Sequence, residues 1–198
     1  MKIVYDFIMK KLKPIVIWWG GFHMPFSRKK VTGKHYFATR ENINVGDVLL
    51  ATTNGEFSNL INPEKIKHGG LYVGDILGSG IMYVIEATGK GTILTDLVSF
   101  LTTKDLVIGT RMVDVNTGNT LQIQKTSMTY LGRKYDYLFE NDDDDVYCFE
   151  LAARILEEVA SVELTQFEVV PGKSTYSYKT FLGDEKFITT FNTKNMKV

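Results

Sequence analysis

The feature that most constrains the fold is a series of short apolar runs, each closed by glycine or polar turn residues, ahead of one strongly amphipathic helix. The runs are Val45-Gly-Asp-Val-Leu-Leu-Ala51, Gly70-Leu-Tyr-Val-Gly74, Ile81-Met-Tyr-Val-Ile-Glu-Ala87 and Leu106-Val-Ile-Gly-Thr-Arg-Met-Val113. Rich in Val, Ile, Leu and Tyr and short for helices, they predict strands of a mainly antiparallel meander. The helix is predicted from Cys148 to Val159, where Ala152, Ile155, Leu156 and Val159 share a face at helical spacing. A second helix is predicted around Asn119 to Leu131, with further strand elements near the end. Strands followed by helices predict an α+β domain.

Residues 1 to 44 differ in character, mixing aromatic and basic residues without a sustained period. Ile3, Val4, Phe7, Ile8 and Leu12 fit a short amphipathic helix that Pro14 ends. The expected organisation is therefore an N-terminal arm, 1–44, packed on or beside a single domain, 45–198. No repeat and no low-complexity linker argues for more.

With 198 residues, 44% of them hydrophobic, the chain is long enough to bury a full core. Lys plus Arg number 23 against 23 Asp plus Glu, and this balance removes the main attraction for a phosphate backbone. No nucleic-acid partner is expected. The single cysteine, Cys148, excludes an intramolecular disulfide; with only His23, His35 and His68 beside it, the Cys-rich zinc frameworks are excluded too. No metal and no cofactor is expected, and oligomeric state cannot be read. The apolar run from Pro14 to Phe22 is shorter than the roughly 20 residues that span a bilayer. Lys10, Lys11 and Lys13 imitate the start of a signal peptide, yet no small-residue cleavage site follows. The expectation is a mature segment and, by default, a cytoplasmic protein.

Two motifs fail on inspection. Counting Asp142 as the first position of a calcium loop puts Tyr147 sixth and Ala153 twelfth, where glycine and glutamate belong. The run from Asn141 to Asp145 is a solvated acidic loop on this reading. Gly89-Lys-Gly-Thr92 lacks the first glycine and spacing of a phosphate loop and reads as a tight turn between strands.

Three positions carry chemistry together: His68 opening a predicted strand, Glu86 on the next strand, and Cys148 opening the best helix. A thiol of ordinary pKa about 8.5 becomes a nucleophile where a helix N-terminus and an imidazolium stabilise the thiolate. The imidazole in turn needs a polar group to fix its tautomer and orientation, and Glu86 follows His68 by 86 − 68 = 18 residues on the adjacent strand. The unsatisfied N–H of Cys148 at the helix start suits an oxyanion hole.

The segments Val45-Gly-Asp-Val-Leu-Leu, Lys67-His-Gly-Gly-Leu-Tyr-Val-Gly74, Val84-Ile-Glu-Ala-Thr-Gly-Lys-Gly91, Tyr130-Leu-Gly-Arg-Lys-Tyr-Asp-Tyr137 and Tyr147-Cys-Phe-Glu-Leu151 resemble the circularly permuted NlpC/P60 cysteine hydrolases of the YiiX/YebB-like type, in the papain-like superfamily. The likeness spans roughly residues 45 to 160. Ordinary NlpC/P60 proteins place the cysteine helix before the histidine strand, whereas here the histidine comes 148 − 68 = 80 residues earlier, the order of the permutation. The resemblance implies a small, curved antiparallel sheet packed on the cysteine helix. It also implies Cys148 as nucleophile, His68 as general base and Glu86 as the residue that orients His68. Phe149 departs from it, since many relatives have a small residue after the cysteine; residues 1–44 match nothing in it.

The implied activity is cleavage of an amide or related acyl bond through an acyl-enzyme. The implied substrate is a cell-wall peptide, with a lipid acyl group as the alternative, through either hydrolysis or acyl transfer. A non-catalytic papain-like module that binds lipid or peptide is the reading from another class. Tyr176 is the candidate substrate contact, through its hydroxyl. Trp18, Trp19, Phe22 and Phe26 beside the basic residues could also sit at a membrane surface, as a peripheral contact. Because large aromatic residues are seldom exposed together, deletion of residues 1–13 should be tolerated, while deletion through Phe26 should cause aggregation. A soluble 27–198 chain of unchanged thermal stability would show that the arm contributes no core.

Overall fold

In the computed structural model the described residues are 30–53, 66–140 and 144–196, together with Lys11. The helix expected near the N-terminus, the aromatic and basic run through Phe26 and most of the acidic run at 141–145 lie outside them. In chain order the elements are α1 (Gly33–Arg40), β1 (Val48–Thr52), β2 (His68–Gly74), β3 (Tyr83–Thr88), β4 (Gly91–Asp96), α2 (Leu97–Thr102), β5 (Leu106–Met112), α3 (Thr120–Tyr130), β6 (Lys134–Tyr135), β7 (Asp145–Val146), α4 (Cys148–Ala160), β8 (Phe167–Val170), β9 (Lys173–Thr175), α5 (Tyr178–Phe181) and β10 (Phe187–Asn192).

Six strands form one sheet in the order β10-β5-β1-β2-β3-β4, and every pairing in it is antiparallel. The meander runs from β1 to β4. The chain then crosses back through α2, so that β5 pairs with β1 from Val48↔Thr110 to Thr52↔Leu106. Gly89-Lys90 makes the tight turn of the β3–β4 hairpin, as the sequence suggested. The short helix α2 was not legible. It starts because Asp96 accepts the Ser99 N–H at 2.9 Å, a side-chain cap that needs no long apolar period.

Both faces of the sheet are covered, and strand alternation assigns the residues. Val48, Leu50, Leu71, Val73 and Ile85 point to the larger core with Leu151, Ala152, Ile155 and Leu156 of α4. Leu49, Ala51, Tyr72 and Val84 point to the second core with Leu97, Phe100 and Leu101 of α2. Double coverage explains why the strands read as continuous apolar runs rather than alternating ones. Val31 and Ile43 also enter the second core, so residues just ahead of position 45 are built into the domain. Among the described residues no helix is long and apolar enough to cross a membrane.

The loop into β1 is tied to β5 by charge. Asp47, fully buried, accepts from Arg111 Nε at 2.7 Å and Nη2 at 2.8 Å, and from the Asn44 N–H at 3.0 Å. Burial raises the Asp47 pKa, and the guanidinium and the Asn44 N–H oppose that rise. Removing only the cation leaves a carboxylate without its counterion in the interior. Arg111→Met should therefore cost about 3 kcal/mol in urea unfolding, and Asp47→Asn in the same chain should recover part of the loss. A loss below about 0.5 kcal/mol, the level of an ordinary surface change, would contradict this account.

Candidate active site

The register of the sheet brings two of the expected residues together. β2 pairs β3 at Leu71↔Ile85 and Tyr72↔Val84; continued toward the start of β2, this register makes His68 and Glu86 diagonal neighbours on one face. β3 pairs β4 at Val84↔Thr95 and Glu86↔Ile93, so Glu86 and Thr95 are diagonal neighbours as well. His68 Nε2 lies 2.5 Å from Glu86 Oε2, and Thr95 Oγ1 donates to Glu86 Oε1 at 2.5 Å. Both carboxylate oxygens are thus engaged in one row across three strands. The Phe100 ring of α2 packs against the imidazole, centroids 6.0 Å apart.

Cys148 is the first residue of α4, which packs on β2 and β3. Its N–H belongs to the first helical turn, where donors lack an intrahelical acceptor, and the positive end of the helix dipole lies there. The Cys148 side chain lies near enough to the His68 ring to raise its pKa, and with Nε2 taken by Glu86 the ring's Nδ1 is left for the thiol. All three expected residues are therefore in one cluster. Cys148 is only 4% exposed, because its helix start is packed into the larger core. The solvent-facing part of the cluster is the imidazole, whose side chain is 21% exposed.

Charge follows from these contacts. Burial pulls the His68 pKa down, but the hydrogen bonds to Cys148 and Glu86 outweigh it and raise it from 6.5 to about 9. Burial pushes Glu86 up, and the hydrogen bond and charge of His68, with the Thr95 hydroxyl, bring it from 4.5 down to about 2. At neutral pH the pair is an imidazolium and a carboxylate.

Sequence reasoning missed Tyr135. Burial first, then the neighbouring Cys148, raises its pKa well above the usual phenol value, so its hydroxyl keeps its proton beside the thiol. The two-residue strand β6 places it there by parallel pairing with β7, Tyr135↔Val146, two residues before Cys148. Tyr135 lies in a segment whose family likeness was legible, but a two-residue parallel pair has no local signature.

Tyr176 is elsewhere. Its hydroxyl donates to Glu157 Oε2 at 3.0 Å, and Glu157 lies nine residues beyond Cys148 on α4, roughly 13 Å along the helix. There it lines a cavity of about 330 Å³ with Tyr130, Arg154, Glu157, Glu158 and Gln166. The backbone of Tyr176 does touch the start of α4: its N–H donates to the Tyr147 hydroxyl at 2.6 Å. Glu150, fully buried, also braces this helix start, accepting from Tyr147 N–H at 3.3 Å and from Arg154 Nε at 2.9 Å. Phe149 is 5% exposed and part of the core.

The stability of the pair has a defined pH window. Folding raises His68, so its contribution is complete below pH 6.5 and fades as the pH climbs through about 9. Folding lowers Glu86, so its contribution is complete above pH 4.5 and is lost as the pH falls through about 2. In a histidine NMR titration one of the three imidazoles should have its midpoint near 9, and Glu86→Gln should move that midpoint toward the ordinary value of about 6.5. Three midpoints all between about 6 and 7 would contradict the ion pair.

Comparison with known proteins agrees with this architecture. A search of curated proteins found no match. The crystal structure described as metalloprotein yiiX from Escherichia coli O157:H7 superposes with a TM-score of 0.63 at 17% identity, covering 75% of this chain and 96% of that one. Among the described residues of this chain, no group of three or more His, Cys, Asp or Glu side chains is arranged to hold a metal ion. The sequence model of one family, described as permuted papain-like amidase enzyme, YaeF/YiiX, C92 family, matches residues 42–191. With the sheet, the cysteine helix and the histidine-before-cysteine order in place, the chain belongs to this family of permuted papain-like amidases and is a cysteine hydrolase of that type.

Proposed function

We propose that the chain cleaves an amide bond through Cys148, His68 and Glu86, and that its substrate is a peptide of the bacterial cell wall. The observation that carries the reading is the His68 ring held between the Glu86 carboxylate and the Cys148 thiol at a helix N-terminus. The imidazolium of His68 holds the proton that the Cys148 thiol gives up, and the thiolate Sγ attacks the carbonyl carbon to form a tetrahedral oxyanion. The Cys148 N–H and the Tyr135 hydroxyl are the donors suited to that oxyanion. As the C–N bond breaks, His68 gives the proton to the leaving amine. Water, deprotonated by the now neutral His68, then cleaves the thioester, releases the acid and restores the thiolate beside the imidazolium. Glu86, fixed by Thr95, stabilises the imidazolium through both steps.

The amidase description of the family supports an amide substrate, and the resemblance in the sequence favours a cell-wall peptide. Incubation with purified peptidoglycan and, separately, with phospholipid vesicles, each analysed by mass spectrometry, tests it. Release of peptide fragments that Cys148→Ala abolishes supports the proposal. Release of fatty acid or acyl transfer instead assigns the site to lipids, and no product from either leaves a binding module. Tyr135→Phe should lower kcat by about 10²-fold with little change in KM, the effect of losing one oxyanion donor. Because Cys148 is the only cysteine, iodoacetamide labelling can be counted by intact mass. Labelling should proceed at about pH 6 to 7, where an ordinary thiol reacts slowly, and His68→Ala should slow it. Labelling only after denaturation would defeat the nucleophile assignment.

A further inference from the structure

Cys148 and His68 come from segments 80 residues apart, and their immediate chain neighbours touch. The Cδ1–Cε1 edge of the Phe149 ring occupies the space beside Gly69: a β-carbon placed on Gly69 would fall 2.8 Å from Phe149 Cδ1 and 2.9 Å from Cε1. Carbon atoms pack at about 3.5 to 4.0 Å, so any side chain at position 69 forces the ring back by roughly 0.7 Å or more. The ring has little room to retreat. Both residues are buried, and Phe149 packs against Phe181, centroids 6.3 Å apart, which is itself fully enclosed and stacked edge-on with Phe187. One peptide bond joins Phe149 to the proposed nucleophile, and one joins Gly69 to the proposed base.

We infer that Phe149 and Gly69 form a matched spacer that sets the distance between the Cys148 thiol and the His68 ring. The two are positioning residues, and the inference rests on the proposed nucleophile and base. It also gives the bulky residue after the cysteine a place: Phe149 faces the histidine strand and the aromatic core, and the missing side chain at position 69 makes room for it. Addition of one methyl group at Gly69 displaces the first turn of α4 from β2 and stretches the thiol–imidazole contact. Trimming the ring at position 149 allows the turn to return.

The test is the rate of iodoacetamide labelling of the full chain, read by intact mass at pH 6.5 and at pH 9.5. At the higher pH an ordinary thiol, of pKa about 8.5, is mostly ionised without help, so a change in spacing should not matter there. Gly69→Ala should slow labelling at pH 6.5 by about 10-fold or more, the order of loss expected for a displacement near 1 Å, while the rate at pH 9.5 stays within about 2-fold. Gly69→Ala with Phe149→Leu, which exchanges volume between the two positions, should return the rate at pH 6.5 to within about 3-fold of wild type. If Gly69→Ala alone unfolds, as seen by circular dichroism, the double variant carries the test by the same criterion.

An unchanged rate at pH 6.5 in a folded Gly69→Ala chain would overturn the spacer. So would an equal loss at both pH values, or a double variant that stays slow at pH 6.5, because either marks general disruption of the core. A wild-type chain that labels only at alkaline pH would defeat the proposed nucleophile itself, and the spacer with it, which separates the two failures.

Discussion

A carboxylate inside a sheet that is covered on both faces must be satisfied where it stands, and Glu86 is satisfied twice. One oxygen accepts from Thr95 on the strand after it and the other meets His68 on the strand before it. An isolated buried charge is costly enough that the group would otherwise neutralise. The pairing instead holds the carboxylate ionised and the imidazole charged, and the resulting row crosses β2, β3 and β4 at the end where α4 begins. The placement of the thiol beside His68 depends on that row, since a ring without Glu86 has no fixed edge to offer.

Permutation leaves this arrangement intact because the chemistry depends on adjacency in space. The helix that opens with Cys148 packs on β2 although it follows that strand by many residues in the chain. What the chain order changes is the route. Here the chain passes through β5, α3 and the short β6–β7 pair before reaching α4, and this detour supplies Tyr135 to the thiol from a segment close to the cysteine in space and 148 − 135 = 13 residues ahead of it in sequence. The aromatic residues that follow α4 then return to brace its start, with the Tyr176 N–H on the Tyr147 hydroxyl and Phe181 against Phe149.

Much of the fold was legible. The four apolar runs coincide with β1, β2, β3 and β5, and the two amphipathic periods with α3 and α4, because long regular elements carry their own pattern. Glycine at positions 69 and 70 admits Phe149 on one face of β2 and Phe100 on the other, which the strand pattern alone did not show. Tyr176 suggested a substrate contact, and only the structure shows that its hydroxyl meets Glu157. Nothing local distinguishes these fates, since each is set by a partner far away in the chain.

The sequence by itself determined the class of the domain, the helix that Cys148 opens and the neighbouring strands that carry His68 and Glu86. Those are local facts, written in periodicity, in turn residues and in the order of the motifs. Only the tertiary structure decided that the three side chains meet, that Tyr135 joins them, that the thiol is buried and that Phe149 lies on Gly69. Register, helix docking and parallel pairing of two-residue strands are set by long-range packing, whose free energy belongs to pairs of residues and leaves no mark on either residue alone.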